Sequence, residues 1–371
     1  MSIAFLDVRS GYLELKTEID LAVARVLDSG VYIMGSEVNN FEIEFAAYCD
    51  VDYAVGVANG LDALVLALRA LGVGNGDEVI VPSNTFIATW LAVSAVGAIP
   101  VPVEPNPLNH TIEISQILPA ITKYTKAIIP VHLYGHPADL DPIILLARAR
   151  GLVVIEDAAQ AHGARYRGRR IGGHSDAVCW SFYPGKNLGA VGDGGCITTS
   201  RLDISEKLKV LRNYGSAEKY KNDTFGVNSR LDSLQAAILR VKLRYLDEWN
   251  SRRGKIAQHY RSELSQSSLT LPLTSDWAEP VWHLFVILTS HREALQKALT
   301  KSEIGTQIHY PIPPHMQQTY ARLNQAAKAF PIAQKLSQEL LSLPIGPHLE
   351  FDEVKHIVRE VLDFEEKRLS T

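Results

Sequence analysis

From about residue 53 the chain alternates short, nearly continuous apolar runs with longer stretches whose apolar residues recur every three or four positions. YAVGVA leads into LDALVLALRAL, DEVIVP leads into FIATWLAVSAVG, and AIPVPVE follows. Further on, AIIPVHLYG precedes ADLDPIILLARARG, and LVVIEDAA comes next. Apolar runs without alternation suit strands buried on both faces, and the segments between them carry the period of helices. The pattern predicts an α/β domain in which a mainly parallel sheet is covered by helices on both faces.

Between Asp176 and Thr199 the rhythm changes to strand (AVCWSFY), glycine-rich loop, strand, with no room for a crossover helix. The stretch Ser229 to Tyr260 carries apolar residues at helical intervals and predicts one long helix. That helix links a large α/β domain with an N-terminal arm, residues 1–245, to a smaller α+β domain, residues 246–371. In the smaller domain VWHLFVILT predicts a strand, and the stretches near 292–301, 327–342 and 352–367 predict helices.

Composition changes this picture little. Apolar residues form 46% of the 371 and charged residues 21%, an ordinary globular balance. A net charge of -4 gives no footprint for nucleic acid, and the basic trio Arg252, Arg253 and Lys255 reads as a solvated helix face. Cys49, Cys179 and Cys196 are odd in number and in apolar surroundings, which suits buried thiols in a reducing compartment and neither disulfides nor zinc. MSIAFLDVRSGY lacks the pattern of a signal peptide. The charge-free run Phe86 to Val103 holds Pro100 and Pro102 and reads as a core helix running into a strand, not as a membrane span. A cytoplasmic protein is expected, with neither nucleic acid nor membrane as partner.

Candidate chemistry begins with VVIEDAAQAHG, a strand whose carboxyl end presents Asp157, where ligands of open α/β sheets bind. A lone Asp there also serves as a cap or a turn residue. Lys186 follows in SFYPGKNLGAVGDGG, among five glycines. A lysine in such a loop is often a soluble tip, yet glycines admit a bulky planar ligand and a partly desolvated amine forms imines. An amine to make a Schiff base and a carboxylate to keep a pyridine nitrogen protonated are the two groups that pyridoxal 5'-phosphate (PLP) requires. A seat for its phosphate is available at VANGLDALVLAL, where Asn59, Gly60 and Leu61 turn a strand into a helix whose N-terminal N–H groups attract an anion.

Through VANGLDAL, VIVPSNTFIAT, EDAAQAHGA, SFYPGKNLGAVGDGG, GVNSRLDSLQAAIL and HYPIPPHMQ, the chain resembles the DegT/DnrJ/EryC1/StrS family of PLP-dependent nucleotide-sugar aminotransferases nearly end to end. The resemblance implies the aspartate aminotransferase fold, type I: a large mixed, mostly parallel sheet flanked by helices, plus the smaller C-terminal α+β domain. It implies that Lys186 is the Schiff-base lysine and Asp157 the partner of the ring nitrogen. Gln160, one helical turn on, would reach the phenolic oxygen; Phe86 would stack on the ring; Gly60, Leu61 and Ser181 would hold the phosphate. Asn228 would reach into the neighbouring subunit and complete its phosphate site, making the active unit a homodimer. Leu61 stands where the family commonly has threonine, so only its backbone N–H can serve.

The reaction implied is a ping-pong transamination from L-glutamate to a keto sugar linked to a nucleoside diphosphate. Lys186 would move the proton between substrate and cofactor carbons. Tyr183, His309, Tyr310 and His315 are candidate substrate-binding residues. No metal is expected, since prolines around His309 and His315 prevent helical ligand spacing and His132 and His136 of HLYGH read as structural. HLYGHPADLDPI, NGLDAL and LSLPIGPHL are similar to the branch that aminates C3 of dTDP-3-keto-6-deoxyhexoses. Amination at C4 of a UDP- or dTDP-4-keto sugar is the nearest alternative, and a non-catalytic PLP-binding regulator is the alternative of another class. Lys186 argues against the family's dehydratases, which carry histidine there. A nicotinamide oxidoreductase is disfavoured because GVGNGDE follows a helix and precedes a strand.

Overall fold

The computed structural model describes residues 2–321 and 330–369. Its centre is a seven-stranded sheet made of β1 (Tyr53–Val57), β2 (Glu78–Pro82), β3 (Ile99–Val103), β4 (Thr125–Ile128), β5 (Val153–Asp157), β6 (Ala177–Ser181) and β7 (Gly195–Thr199), in the order β1-β7-β6-β5-β4-β2-β3. The strands run parallel except β7, which pairs antiparallel with both β1 and β6. This is the mixed, mostly parallel sheet expected of the family.

Local chemistry accounts for the order. Pro100 and Pro102 alternate along β3, which lies at the sheet edge and pairs only with β2, so their missing N–H groups face the open side. The helix Gly60–Ala70 opens with Asn59, whose side chain accepts the N–H of Asp62 at 2.8 Å, and buries Ala63, Leu64, Leu66, Ala67, Leu68 and Ala70 against one face of the sheet. On the other face Phe41, Phe45, Trp180 and Phe182 interlock edge to face, with Phe45 and Trp180 centroids 5.3 Å apart.

Several expectations are corrected here. The helix expected over 229–260 is two helices, Ser233–Leu243 and Leu246–Glu263. The break turns Tyr245 toward the helix Lys16–Ser29, where its hydroxyl donates to Glu18 at 2.6 Å. Arg253 is not on a solvated face: it is buried, and its guanidinium donates to the carbonyls of Trp282, His283 and Ile345. The helix expected near 327–342 runs over Pro331–Glu339, and Leu340–Leu343 is a strand, β9, antiparallel to β8 (Phe285–Leu288); positions 327–329 lie outside the described residues. Phe86 does not join the core helix, which is Ile87–Ala95; it precedes that helix and is half exposed.

A second apolar core gathers Ile256, Tyr260, Phe285, Leu295, Leu341, Val354 and Val361, together with Ile3, which bridges to Ile304. Among the described residues no helix is long and apolar enough to cross a membrane, and all three cysteines are buried and free.

Candidate active site

At the carboxyl edge of the sheet the ends of β1, β2, β5 and β6 border one cavity of about 930 Å³. Its walls include Gly60, Leu61, Phe86, Asp157, Gln160, Ser181, Tyr183, Lys186, His309 and Tyr310. Asn228 and His315 do not reach it. Asn228 is exposed and bridges to Asn213, outside the cavity wall, while His315 is fully buried with its ring 5.0 Å from that of Phe330.

Asp157 closes β5 in register with Cys179 of β6. Its Oδ1 accepts the N–H of Ala159 at 3.2 Å and its Oδ2 the hydroxyl of Thr89 at 2.8 Å. Burial pushes this carboxyl above its ordinary range, while Thr89, Ala159 and the charge of Lys186 pull it back.

The loop after β6 carries Lys186. Its backbone N–H returns to the carbonyl of Tyr183 at 2.8 Å, and Ala190 N–H returns to Phe182 at 2.8 Å, so the loop is a tight double turn. A Cβ on Gly189 would lie 2.3 Å from the carbonyl oxygen of Pro184, so only glycine fits there. Lys186 Nζ makes no hydrogen bond to the described residues. Although the side chain opens on the cavity, the protein packed around it strips its hydration and lowers the ammonium to about 8, a shift opposed by Asp157. Lys242 is likewise lowered to about 8 by burial, but its Nζ is tied to the carbonyl of Gly189 at 2.7 Å and lies outside the cavity wall. Of these two lysines, Lys186 is the one free to react.

Opposite, the helix Gly60–Ala70 points its N-terminus at the cavity. Asp62 N–H is taken by Asn59, and those of Gly60 and Leu61 have no acceptor among the described residues. A Cβ on Gly60 would sit 2.6 Å from Cβ of Ser181, so glycine lets Ser181 and the helix N-terminus share one corner.

Gln160 lies in a turn, not one helical turn beyond Asp157. Its Oε1 accepts the N–H of Tyr134 at 2.6 Å and its Nε2 donates to the Tyr310 hydroxyl at 3.0 Å. Tyr310 in turn packs on Phe86, centroids 5.2 Å apart. His309 is hydrogen-bonded through Nδ1 to Ser342 at 2.8 Å; burial and the charge of Lys186 hold it near 4, hence neutral. Tyr183 stands exposed at the rim.

Residues that sequence reasoning missed are Thr85, Thr89 and His283. Thr89 is fully buried on a helix whose one other polar residue is Ser94, and a polar residue in that setting was the one available signal. His283 sits inside an apolar strand-like run that gives no sign of a cavity.

The pattern of the DegT/DnrJ/EryC1/StrS aminotransferase family matches residues 14–362. The chain is 55% identical over 359 residues to the erythromycin biosynthesis sensory transduction protein EryC1 of Saccharopolyspora erythraea, covering 96% of this chain and 98% of that one. It is 52% identical to the dTDP-3-amino-3,6-dideoxy-alpha-D-galactopyranose transaminase of Aneurinibacillus thermoaerophilus, covering 97% and 98%. The crystal structure of S. venezuelae DesV in complex with a ketimine intermediate superposes with a TM-score of 0.97 at 52% identity, covering 98% and 99%. Other matching structures hold PMP or PLP. Likeness of this extent reaches far beyond the cavity into both apolar cores: the chain belongs to the DegT/DnrJ/EryC1/StrS aminotransferase family.

Proposed function

We propose that the protein is a PLP-dependent aminotransferase that moves the amino group of L-glutamate to C3 of a dTDP-3-keto-6-deoxyhexose, giving a dTDP-3-amino-3,6-dideoxyhexose. The observation that carries this reading is the meeting of Asp157 and Lys186 on the walls of one cavity. The remaining residues fit the cofactor. Two unpaired N–H groups at Gly60 and Leu61, with the Ser181 hydroxyl beside them, suit a phosphate. Phe86, half exposed on the cavity, offers a face for the ring, and the second hydrogen of Gln160 Nε2 is free for an oxygen.

When bound, PLP supplies an electron sink for the bond broken at the amino-bearing carbon. The protein's own groups do the rest. Asp157, fixed by Thr89 and Ala159, holds a proton on the pyridine nitrogen. Lys186 Nζ, with its pKa near 8, both takes and returns a proton close to neutral pH. Apolar walls at Phe5, Leu6, Leu133 and Leu284 keep bulk water away from the reacting atoms.

The sugar and the carbon aminated rest on the similarity to the Aneurinibacillus transaminase, whose name specifies a 3-amino-3,6-dideoxy sugar linked to dTDP. Asn228, outside its own cavity, is assigned to the phosphate site of a second copy. The exposed Tyr220, Phe225 and Ile43 supply apolar surface for such a homodimer. The test supplies dTDP-linked 3-keto and 4-keto 6-deoxyhexoses with glutamate and locates the nitrogen in the product by NMR. Nitrogen at C3 supports the assignment; nitrogen at C4 overturns it. A sensor is favoured by the name of the Saccharopolyspora relative, a sensory transduction protein, and it requires PLP binding with no transfer of nitrogen from glutamate to either sugar.

A further inference from the structure

Behind Lys186 a run of side-chain amides leads from the backbone to the ring of His283. Asn250 Nδ2 donates to the carbonyl oxygen of His162 at 2.8 Å, an atom that can only accept, so the Asn250 oxygen faces Asn187. Asn187 Nδ2 donates to that oxygen at 2.9 Å and to the carbonyl of Val281 at 2.9 Å. Its nitrogen is thus spent, and Asn187 presents Oδ1 to Nδ1 of His283, 3.1 Å away. An amide oxygen cannot donate, so Nδ1 carries the hydrogen and Nε2 of the neutral ring is a lone pair. Two backbone carbonyls therefore fix a tautomer that is ordinarily ambiguous.

The ring is buried and lines the cavity beside Lys186. Its backbone is held as well: the carbonyls of Trp282, His283 and Ile345 all receive Arg253 Nη1, at 3.3, 3.4 and 3.1 Å. The titratable groups around it are Lys186 in the glycine loop, Arg253 on the helix Leu246–Glu263, and the neutral rings of His309 and His162. Burial first, then the two cations, hold His283 well below the usual histidine range, so the imidazole stays neutral. Nε2 makes no hydrogen bond to the described residues.

We propose that His283 is a positioning residue for Lys186: when the lysine side chain turns from the unbonded position it holds in this structure toward the ring, the Nε2 lone pair accepts a hydrogen bond from the free amine. This rests on Lys186 being the reacting lysine. A neutral acceptor suits the task. It orients an amine or an ammonium without removing its proton, whereas a carboxylate in its place would clamp the ammonium and suppress its basicity.

The test follows Lys186 in the full-length apoprotein. Competitive acylation with acetic anhydride over a range of pH, read by mass spectrometry of the Lys186 peptide, gives the midpoint of the amine. An acceptor favours the charged form, so His283→Leu is expected to lower the midpoint by about one unit, a tenfold change in the amine-to-ammonium ratio. His283→Gln keeps an oxygen near the Nε2 position and is expected to stay near wild type. In the holoenzyme the Leu variant is expected to lose about tenfold in kcat with little change in KM for glutamate, and Gln to recover most of it. An unchanged midpoint in the Leu variant, or equal shifts in Leu and Gln, overturns the proposal. So does nitrogen NMR of the wild-type ring showing hydrogen on Nε2, a measurement that needs no variant to fold. The acylation midpoints and the ring NMR need no turnover of any sugar, and the attachment site of the cofactor is determined separately.

Discussion

Thr89 Oγ1 donates to Oδ2 of Asp157 at 2.8 Å, and the Thr85 hydroxyl, 2.9 Å from Thr89 Oγ1, is left to donate to it in turn. The relay holds the Asp157 carboxylate in one orientation and favours its charged form against the cost of burial.

Thr89→Val removes the donor with little change in shape. Loss of a hydrogen bond to a charged group costs about 1.5–3 kcal/mol, so PLP is expected to bind the apoprotein roughly tenfold to a hundredfold more weakly. Asp157 would be protonated to a higher pH, moving the acid limb of the pH–rate profile upward. Fluorescence titration with PLP checks the first effect, and an unaltered Kd would count against the relay.

Gly60→Ala brings a methyl group to 2.6 Å from Ser181 Cβ. Overpacking of this kind costs about 1–3 kcal/mol, and the helix N-terminus must move away from Ser181. The expected outcome is a lower Tm together with weaker binding of PLP, while binding of pyridoxal, which lacks the phosphate, changes little. Equal losses for both ligands would place the phosphate elsewhere.

His132 and Glu156 form a fully buried pair at 2.9 Å just behind Asp157, and His132 Nδ1 accepts the N–H of Ala138, so Nε2 donates to the carboxylate. Burial opposes the charge on Glu156, yet the bonds from His132 and Ser175 outweigh it and hold the carboxyl below its ordinary 4.5. A depressed carboxyl stabilises the fold above pH 4.5, and that contribution is lost as pH falls through the folded value. Glu156→Gln is expected to lower stability at pH 7 by about 1–3 kcal/mol and to flatten the decline below pH 4.5. Parallel Tm curves for variant and wild type over this range would contradict the assignment.

Asn228 gives a test of site sharing. Asn228→Ala and Lys186→Ala are each expected to be poor enzymes, but mixed after partial unfolding and refolding they should regain activity. Half of the random dimers then hold one chain of each kind and one intact site, so about a quarter of the sites work. No recovery on mixing would mean that Asn228 serves its own chain or none.

Much of this was legible in the sequence. The apolar run ending in Asp157, and glycines around Lys186 and Gly60, mark a strand end and close backbone approach, so these three residues could be placed in one region before any geometry, while Ser181 came from the family resemblance alone. What was not legible depends on tertiary packing. Leu340–Leu343 follows a helix with an apolar run that fits either period, and only pairing with Phe285–Leu288 makes it a strand. Arg253 reads as one more charge on a helix, yet three carbonyls from other segments bury it. Thr89 and His283 are isolated polar residues in mostly apolar runs, and their roles come from Asp157 and Asn187, which lie far from them in sequence.

The central claim is tested most directly by trapping the cofactor. The holoenzyme is reduced with borohydride, digested, and the cofactor mass located by tandem mass spectrometry. Lys186 and Lys242 are both amines lowered to about 8 by the protein packed around them, but of the two only Lys186 faces the cavity with Asp157. The account requires the label on Lys186, and its disappearance in Lys186→Ala along with turnover. Label on Lys242 or another lysine, with turnover retained in Lys186→Ala, would contradict it.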